Sequence, residues 1–179
     1  MIRVGIDYSL NSPAVCIQEN GGATKIHFWW TPPKRKEIKF PELLVPHLKP
    51  EIEETEMDKY VRNAQWTLGL IQHYPKEELV INIEDYAFGA SGRLTVLGEN
   101  CGIMKYLLHS NGFKYNLVGP RVAKKQYTGN GNAGKGLVVE TFRQRTDIDL
   151  IETFGRQVVS TPIDDIADAH CLAMYTSAK

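Results

Sequence analysis

At 179 residues, 42% hydrophobic and 23% charged, the chain has the size and composition of one globular domain, and no apolar run approaches the ~18 residues that cross a bilayer. Its three cysteines, Cys16, Cys101 and Cys171, form no CxxC pair, which argues against a disulfide framework or a cysteine zinc site and fits a reducing, cytoplasmic compartment. The formal net charge of zero hides an uneven distribution: from Lys105 to Arg145 the bases face one acid, Glu140, whereas from Glu42 to Asp58 six acids face Lys49. A solvated face explains either run, yet the basic one also suits a phosphate backbone.

Ile2, Val4 and Ile6 alternate with Arg3, Gly5 and Asp7, the period of two that predicts a strand, so the amino terminus reads as sheet and not as a signal peptide. PAVCIQ (Pro13 to Gln18) and KIHFWW (Lys25 to Trp30) predict two more strands around Asn20-Gly21-Gly22, residues that tolerate positive φ in a hairpin turn. The three form an antiparallel meander. Residues 31 to 56 break the pattern with Pro32, Pro33, Pro41, Pro46 and Pro50 and read as an irregular insertion. Val61, Ala64, Leu68 and Ile71 share one stripe of a helix from Asp58 to Tyr74, closed by Pro75. ELVINIE (Glu78 to Glu84) then predicts a buried strand, parallel to an earlier one because a crossover helix precedes it. A helix from about Thr95 to Ser110, a short strand from Lys114 to Val118 and a helix near Leu137 to Gln144 follow. The last helix opens with Thr161 placed as N-cap, Pro162 at the first helical position and Asp164 completing a capping-box-like turn. The expected architecture is a single α/β domain over residues 1–179, a five-stranded mixed sheet with helices on both faces.

TGNGNAGKGL, from Thr128 to Leu137, matches most of the phosphate-binding loop of nucleoside triphosphatases. That loop needs Ser or Thr after its lysine, as a magnesium ligand, and Gly136 stands there. It also needs a strand before it, and GPRVAKKQY has no run of β-branched residues. No nucleotide cofactor is expected.

Asp7 and Glu84 each close an apolar strand, and in α/β sheets ligand sites gather at the carboxyl ends of strands. If those strands are parallel neighbours, ~4.8 Å apart, the two acids meet. On the last helix Asp165 falls within the apolar arc, and Asp168, one turn on, lies at its edge. A helix-start acid favoured by the macrodipole accounts for Asp164, which plots elsewhere, but not for an acid facing the core. Carboxylates this close repel by roughly 4 kcal/mol per pair at ~4 Å and effective dielectric ~20 unless protons or cations intervene. An all-oxygen set suits hard ions such as magnesium or manganese, and two such ions are the usual device for phosphodiester hydrolysis. His170 plots toward the far side of the helix and reads as structural.

An Asp ending the first strand of a meander, a Glu ending a strand after a crossover helix, and DxxDA opening the last helix together resemble the ribonuclease H-like nuclease superfamily. Within it the chain is similar to the RuvC family of Holliday junction resolvases. The pieces that carry the resemblance are GIDYSLNSPAVCI (Gly5 to Ile17), IEDYAFG (Ile83 to Gly89), LGENCGIM (Leu97 to Met104), RVAKKQYTGNGNAGKGLV (Arg121 to Val138) and DDIADAHCLA (Asp164 to Ala173), in family order. The resemblance implies a ribonuclease H-like fold and an endodeoxyribonuclease that resolves four-way DNA junctions by paired symmetric nicks, leaving 5′-phosphates. It implies two Mg2+ ions, replaceable by Mn2+, on Asp7, Glu84, Asp165 and Asp168. Lys135 would approach the scissile phosphate from a glycine loop that grips DNA, with Lys124 or Lys125 as a second basic contact and Arg121 on the same DNA-binding stretch. Phe88, or Tyr86, would stack on an unpaired base near the crossover, or serve as a buried anchor. It also implies a homodimer, so that two sites reach opposed strands, with the helix carrying LGENCGIM near the interface. The long insertion and the divergence hint at a bacteriophage branch, placing the protein in a bacterial or host-cell cytoplasm. Rival readings are a nuclease of the same superfamily acting on RNA–DNA hybrid or structured RNA, an actin-like ATPase, and a junction-binding protein that does not cut.

Overall fold

In the computed structural model, which describes residues 1–34, 37–85 and 94–177, β1 (Ile2–Asp7), β2 (Ala14–Glu19) and β3 (Thr24–Trp30) form the expected meander. Its second turn places Gly21 at φ 71°, where a glycine carries no Cβ penalty. β5 (Leu79–Glu84) lies parallel to β1 in the register Ile6↔Ile83, so the strand-end acids Asp7 and Glu84 come next to each other on one edge. β6 (Tyr115–Val118) lies parallel outside β5.

The sheet has six strands in the order β4-β3-β2-β1-β5-β6, one more than the sequence pattern suggests. The extra strand is β4 (Leu44–Leu48), which arises inside the proline-rich insertion and pairs parallel with β3. Pro46 hides it from a sequence reading, yet a proline without an N–H is tolerated on an edge strand. Because β2 alone runs opposite to its neighbours, β1, β3, β4, β5 and β6 all end on the same edge.

Helices cover both faces. α1 (Glu56–Ile71) and α2 (Leu94–Ser110) bury Ala64, Ile71, Cys101, Met104 and Leu108 against Val4, Ile6, Ile81 and Ile83. Thr55 and Asp58 close a reciprocal capping box at the start of α1. The other face carries α3 (Pro120–Thr128), α4 (Lys135–Thr146), α5 (Leu150–Phe154) and α6 (Ile163–Met174). Their core includes Phe142, Leu150, Ile163 and Ile166, set against Cys16, Ile26 and Phe28. Among the described residues no helix is long and apolar enough to cross a membrane.

One local expectation is corrected and another, that no strand precedes the glycine loop, is met. Thr161 is not the N-cap of α6; Pro162 takes that position with no side-chain cap bond, and Asp164 turns inward instead of closing a capping box. The segment before Gly129 is the helix α3, whose αL C-cap is Gly129 itself. The loop therefore joins two helices, where a triphosphatase loop joins a strand to a helix.

Candidate active site

Gly5 sets the position of α6 over the sheet. A Cβ at Gly5 would lie 2.1 Å from the Ala169 carbonyl oxygen and 2.3 Å from the Ala173 nitrogen, so the helix backbone rests directly on the strand. Two residues further along β1, Asp7 is on the same face and ~6.6 Å on. Four residues back along α6, Asp165 has moved ~6 Å in the same direction. Strand and helix thus deliver the two acids to one place from opposite chain directions.

Asp165 accepts the Ser9 hydroxyl at 2.8 Å on Oδ1 and the Ser12 hydroxyl at 2.7 Å on Oδ2. Asp7 accepts the Ser9 backbone N–H at 3.1 Å. The turn supplying these donors is pinned by two buried amides, Asn63 of α1 donating to the Leu10 carbonyl and Asn100 of α2 donating to the Tyr8 carbonyl. At the other end of α6, the Asn82 amide of β5 donates to the Leu172 and Tyr175 carbonyls at 2.9 and 3.1 Å, fixing the helix along its length.

The four expected carboxylates share one electrostatic environment. Burial, then the charges of Asp165, Glu84 and Asp168, push the Asp7 carboxyl well above the ordinary range. Burial and then Asp168 raise Glu84 to about 7, with Lys124 opposing. Burial raises Asp168 to about 6, against Lys124 and with Asp164 and Asp165. Asp165 is also raised, mainly by burial, although both serine hydroxyls and a hydrogen bond with Asp7 hold it down. Burial is the largest cause at each of the four, mutual repulsion adds to it, and the nearby lysines offset it only in part.

Among the described residues no three His, Cys, Asp or Glu side chains are arranged as a finished ion site. The chemistry of the donor set nevertheless fits hard divalent ions: it is all carboxylate, mutually repulsive, and bordered by hydroxyls. Asp164 adds a fifth carboxylate that is 6% exposed, with Oδ1 buried and without a hydrogen-bond partner among the described residues.

Lys135, at the start of α4, reaches across to Asp164 Oδ2 in a close ion pair and raises its own ammonium affinity for protons by that bond. Ser9, Ser12, Lys59, Lys135, Asp164 and Asp165 line one cleft of about 540 Å3. Glu84, Asp168 and Lys124 line a smaller neighbouring crevice. Of the two expected lysines, Lys124 lies against the acids, its charge acting on both Glu84 and Asp168, whereas Lys125 is exposed, as is Arg121. Tyr86 and Phe88 lie outside the described residues. His170 is structural, as its helical position suggests: it is buried, bonded to the Tyr127 hydroxyl at 2.7 Å, and lowered by burial to about 4.

Ser9, Ser12 and Asp164 are the site residues that sequence reasoning passed over. The small polar turn SLNS directly after Asp7 is the signal that marks the serines. Asp164 gives no such signal, because its inward direction depends on the helix starting at Ile163.

No family model matches the chain, and no curated protein sequence is similar to it. Solved structures are. Thermus thermophilus RuvC superposes with a TM-score of 0.57 at 19% identity, over 97% of this chain and 91% of that one. T. thermophilus RuvC in complex with a Holliday junction substrate gives 0.60 at 17% identity, over 97% and 90%. The yeast mitochondrial Holliday junction resolvase gives 0.51 at 15% identity, over 95% and 75%. The chain has their ribonuclease H-like fold, with β4 as its sixth strand.

Proposed function

We propose that this chain, which has the fold of RuvC, is a divalent-metal-dependent endonuclease that resolves four-way DNA junctions as a homodimer. The observation that carries the reading is the convergence of Asp7, Glu84, Asp165 and Asp168 from β1, β5 and α6 on one sheet edge, each held above the usual carboxylate range. That one of the similar structures holds a Holliday junction substrate supports branched DNA as the ligand.

Asp7, Glu84, Asp165 and Asp168 would hold magnesium or manganese, whose chemistry is to activate water and to neutralise charge on a phosphate. Ser9 and Ser12 orient Asp165 by occupying one lone pair on each of its oxygens. Lys135 and Lys124 border the acids from two sides and offer cationic N–H donors to a phosphate oxygen that gains charge during attack. In the glycine-rich turn between α3 and α4, Gly129 and Gly134 face open space that leaves room for a backbone to approach, while Gly131 packs on the Arg121 carbonyl.

The test uses a labelled immobile four-way junction, the matching linear duplex and an RNA–DNA hybrid, each with magnesium or EDTA. Paired nicks at the junction that require metal and vanish in Asp7→Asn, while that variant still binds the junction, are the expected result. Cutting of the hybrid alone would move the substrate to RNA–DNA duplexes, and metal-independent cutting would overturn the assignment of the acids.

A further inference from the structure

We infer that Asp164 is a positioning residue for Lys135, holding its ammonium over the carboxylate floor before substrate arrives. The inference rests on the nuclease reading above and adds a residue that neither the sequence pattern nor the fold assigns to the reaction.

The Lys135 side chain is 66% exposed, and a lysine stem of four carbons left free at a surface samples many rotamers. Asp164, whose own side chain is only 7% exposed, removes that freedom by pairing with it. The pair spans the cleft from the first residue of α4 to the first turn of α6. An ammonium has three donors, so pairing through one oxygen leaves others for a phosphate.

A purely structural acid in a first helical turn would cap the helix or satisfy itself on backbone N–H groups. Asp164 does neither: α6 has no side-chain cap bond, and Asp164 Oδ1 is buried without a partner among the described residues. Leaving a buried carboxylate oxygen unbonded destabilises the fold. The orientation of Asp164 is therefore set by Lys135 and by the cleft that both residues line.

The experiment is a double-mutant cycle read by single-turnover cleavage of the four-way junction, with Asp164→Asn, Lys135→Gln and the pair. Wild-type protein in the same assay reports on the nuclease reading itself: if it cuts no substrate, that reading fails, and the cleft pair is judged by the chemical readout alone. In cutting protein, Asp164→Asn is expected to slow the step by between about 10-fold and 100-fold, with junction affinity unchanged. In the Lys135→Gln background the same change is expected to have little further effect. Asp164→Glu, which keeps the charge one methylene further out, should recover part of the rate. The chemical readout is the labelling rate of Lys135 by an amine-reactive reagent, followed by mass spectrometry in the absence of DNA. Asp164→Asn should raise it several-fold while other lysines stay unchanged. An equal loss of rate in both Lys135 backgrounds, or unchanged labelling of Lys135, would overturn the assignment.

Discussion

Gly5 and Asp7 show how much of this site depends on single atoms. Gly5 is required by the close approach of α6, and with any side chain there the helix must lift off the strand, because both neighbouring atoms are backbone and cannot rotate away. Overpacking against rigid backbone is costly, and Gly5→Ala is expected to lose about 3 kcal/mol or more of stability, or to prevent folding, as measured by urea denaturation. The same lift would carry Asp165 and Asp168 away from Asp7 and Glu84, so any folded fraction should cut poorly. Retained stability and activity in Gly5→Ala would mean that α6 is not seated on β1 as described. Asp165 illustrates the opposite case, in which several weak contacts do the positioning. Its two serine hydroxyls arrive from a turn that is itself held by Asn63 and Asn100.

At the scale of elements, the insertion is tied to the domain by a strand and by a ring cluster, among other contacts. β4 adds to the sheet edge, and Phe40 closes an aromatic cluster with Phe28, Trp30 and Phe154, with ring centroids 5.2 to 5.7 Å apart. Removing the partly buried ring in Phe40→Ala is expected to cost about 2 kcal/mol, somewhat less than for a fully buried phenylalanine. Phe28 stands two strands from Asp7 in the same row, through Ala14, and Phe40 packs on its far side without touching an acid, so cleavage measured below the melting transition should be unaffected. A loss of activity without a loss of stability would tie the insertion directly to the substrate. Elements with strong periodicity, such as Ile2-Val4-Ile6 and the stripe Val61-Ala64-Leu68-Ile71, were legible in the sequence because burial on one face dictates their pattern. β4, α3 and α5 were not. LVPHL carries a proline tolerated only on an edge, PRVAKKQYT is a short helix with a mostly polar surface, and LIETF is a single turn and a half. The acids at strand ends and on α6 were legible because a charge inside an apolar arc has no packing explanation. The inward turn of Asp164 was not, since it follows from where α6 begins.

For the whole molecule, the carboxylate cluster is a source of instability that the fold tolerates. Glu84 moves from 4.5 to about 7 and Asp168 from 3.8 to about 6 on folding, and Asp7 is raised as well. Between those values the folded chain holds protons that the unfolded chain has released. The stability these groups contribute is therefore fully present below about pH 4 and is lost as pH climbs through 6 and 7. In EDTA the melting temperature is expected to fall over that interval on account of this cluster. Asp7→Asn tests the origin of the effect, because the amide keeps the shape of the side chain: its oxygen can accept the Ser9 N–H and its nitrogen can donate to Asp165. It removes the charge that burial first, and then Asp165, Glu84 and Asp168, disfavour. The variant should therefore melt higher than wild type at pH 8 in EDTA, by roughly 2–4 °C for each kcal/mol of repulsion relieved, and the gap should close toward pH 5. Saturating magnesium should narrow the gap at pH 8 from the other side, since a cation bound only by the folded state stabilises the wild-type acids. A variant that melts no higher than wild type at any pH between 5 and 9 in EDTA would show that Asp7 carries no charge disfavoured by burial and by its neighbours, and the argument from the strained acids to an ion-binding cluster would fall with it.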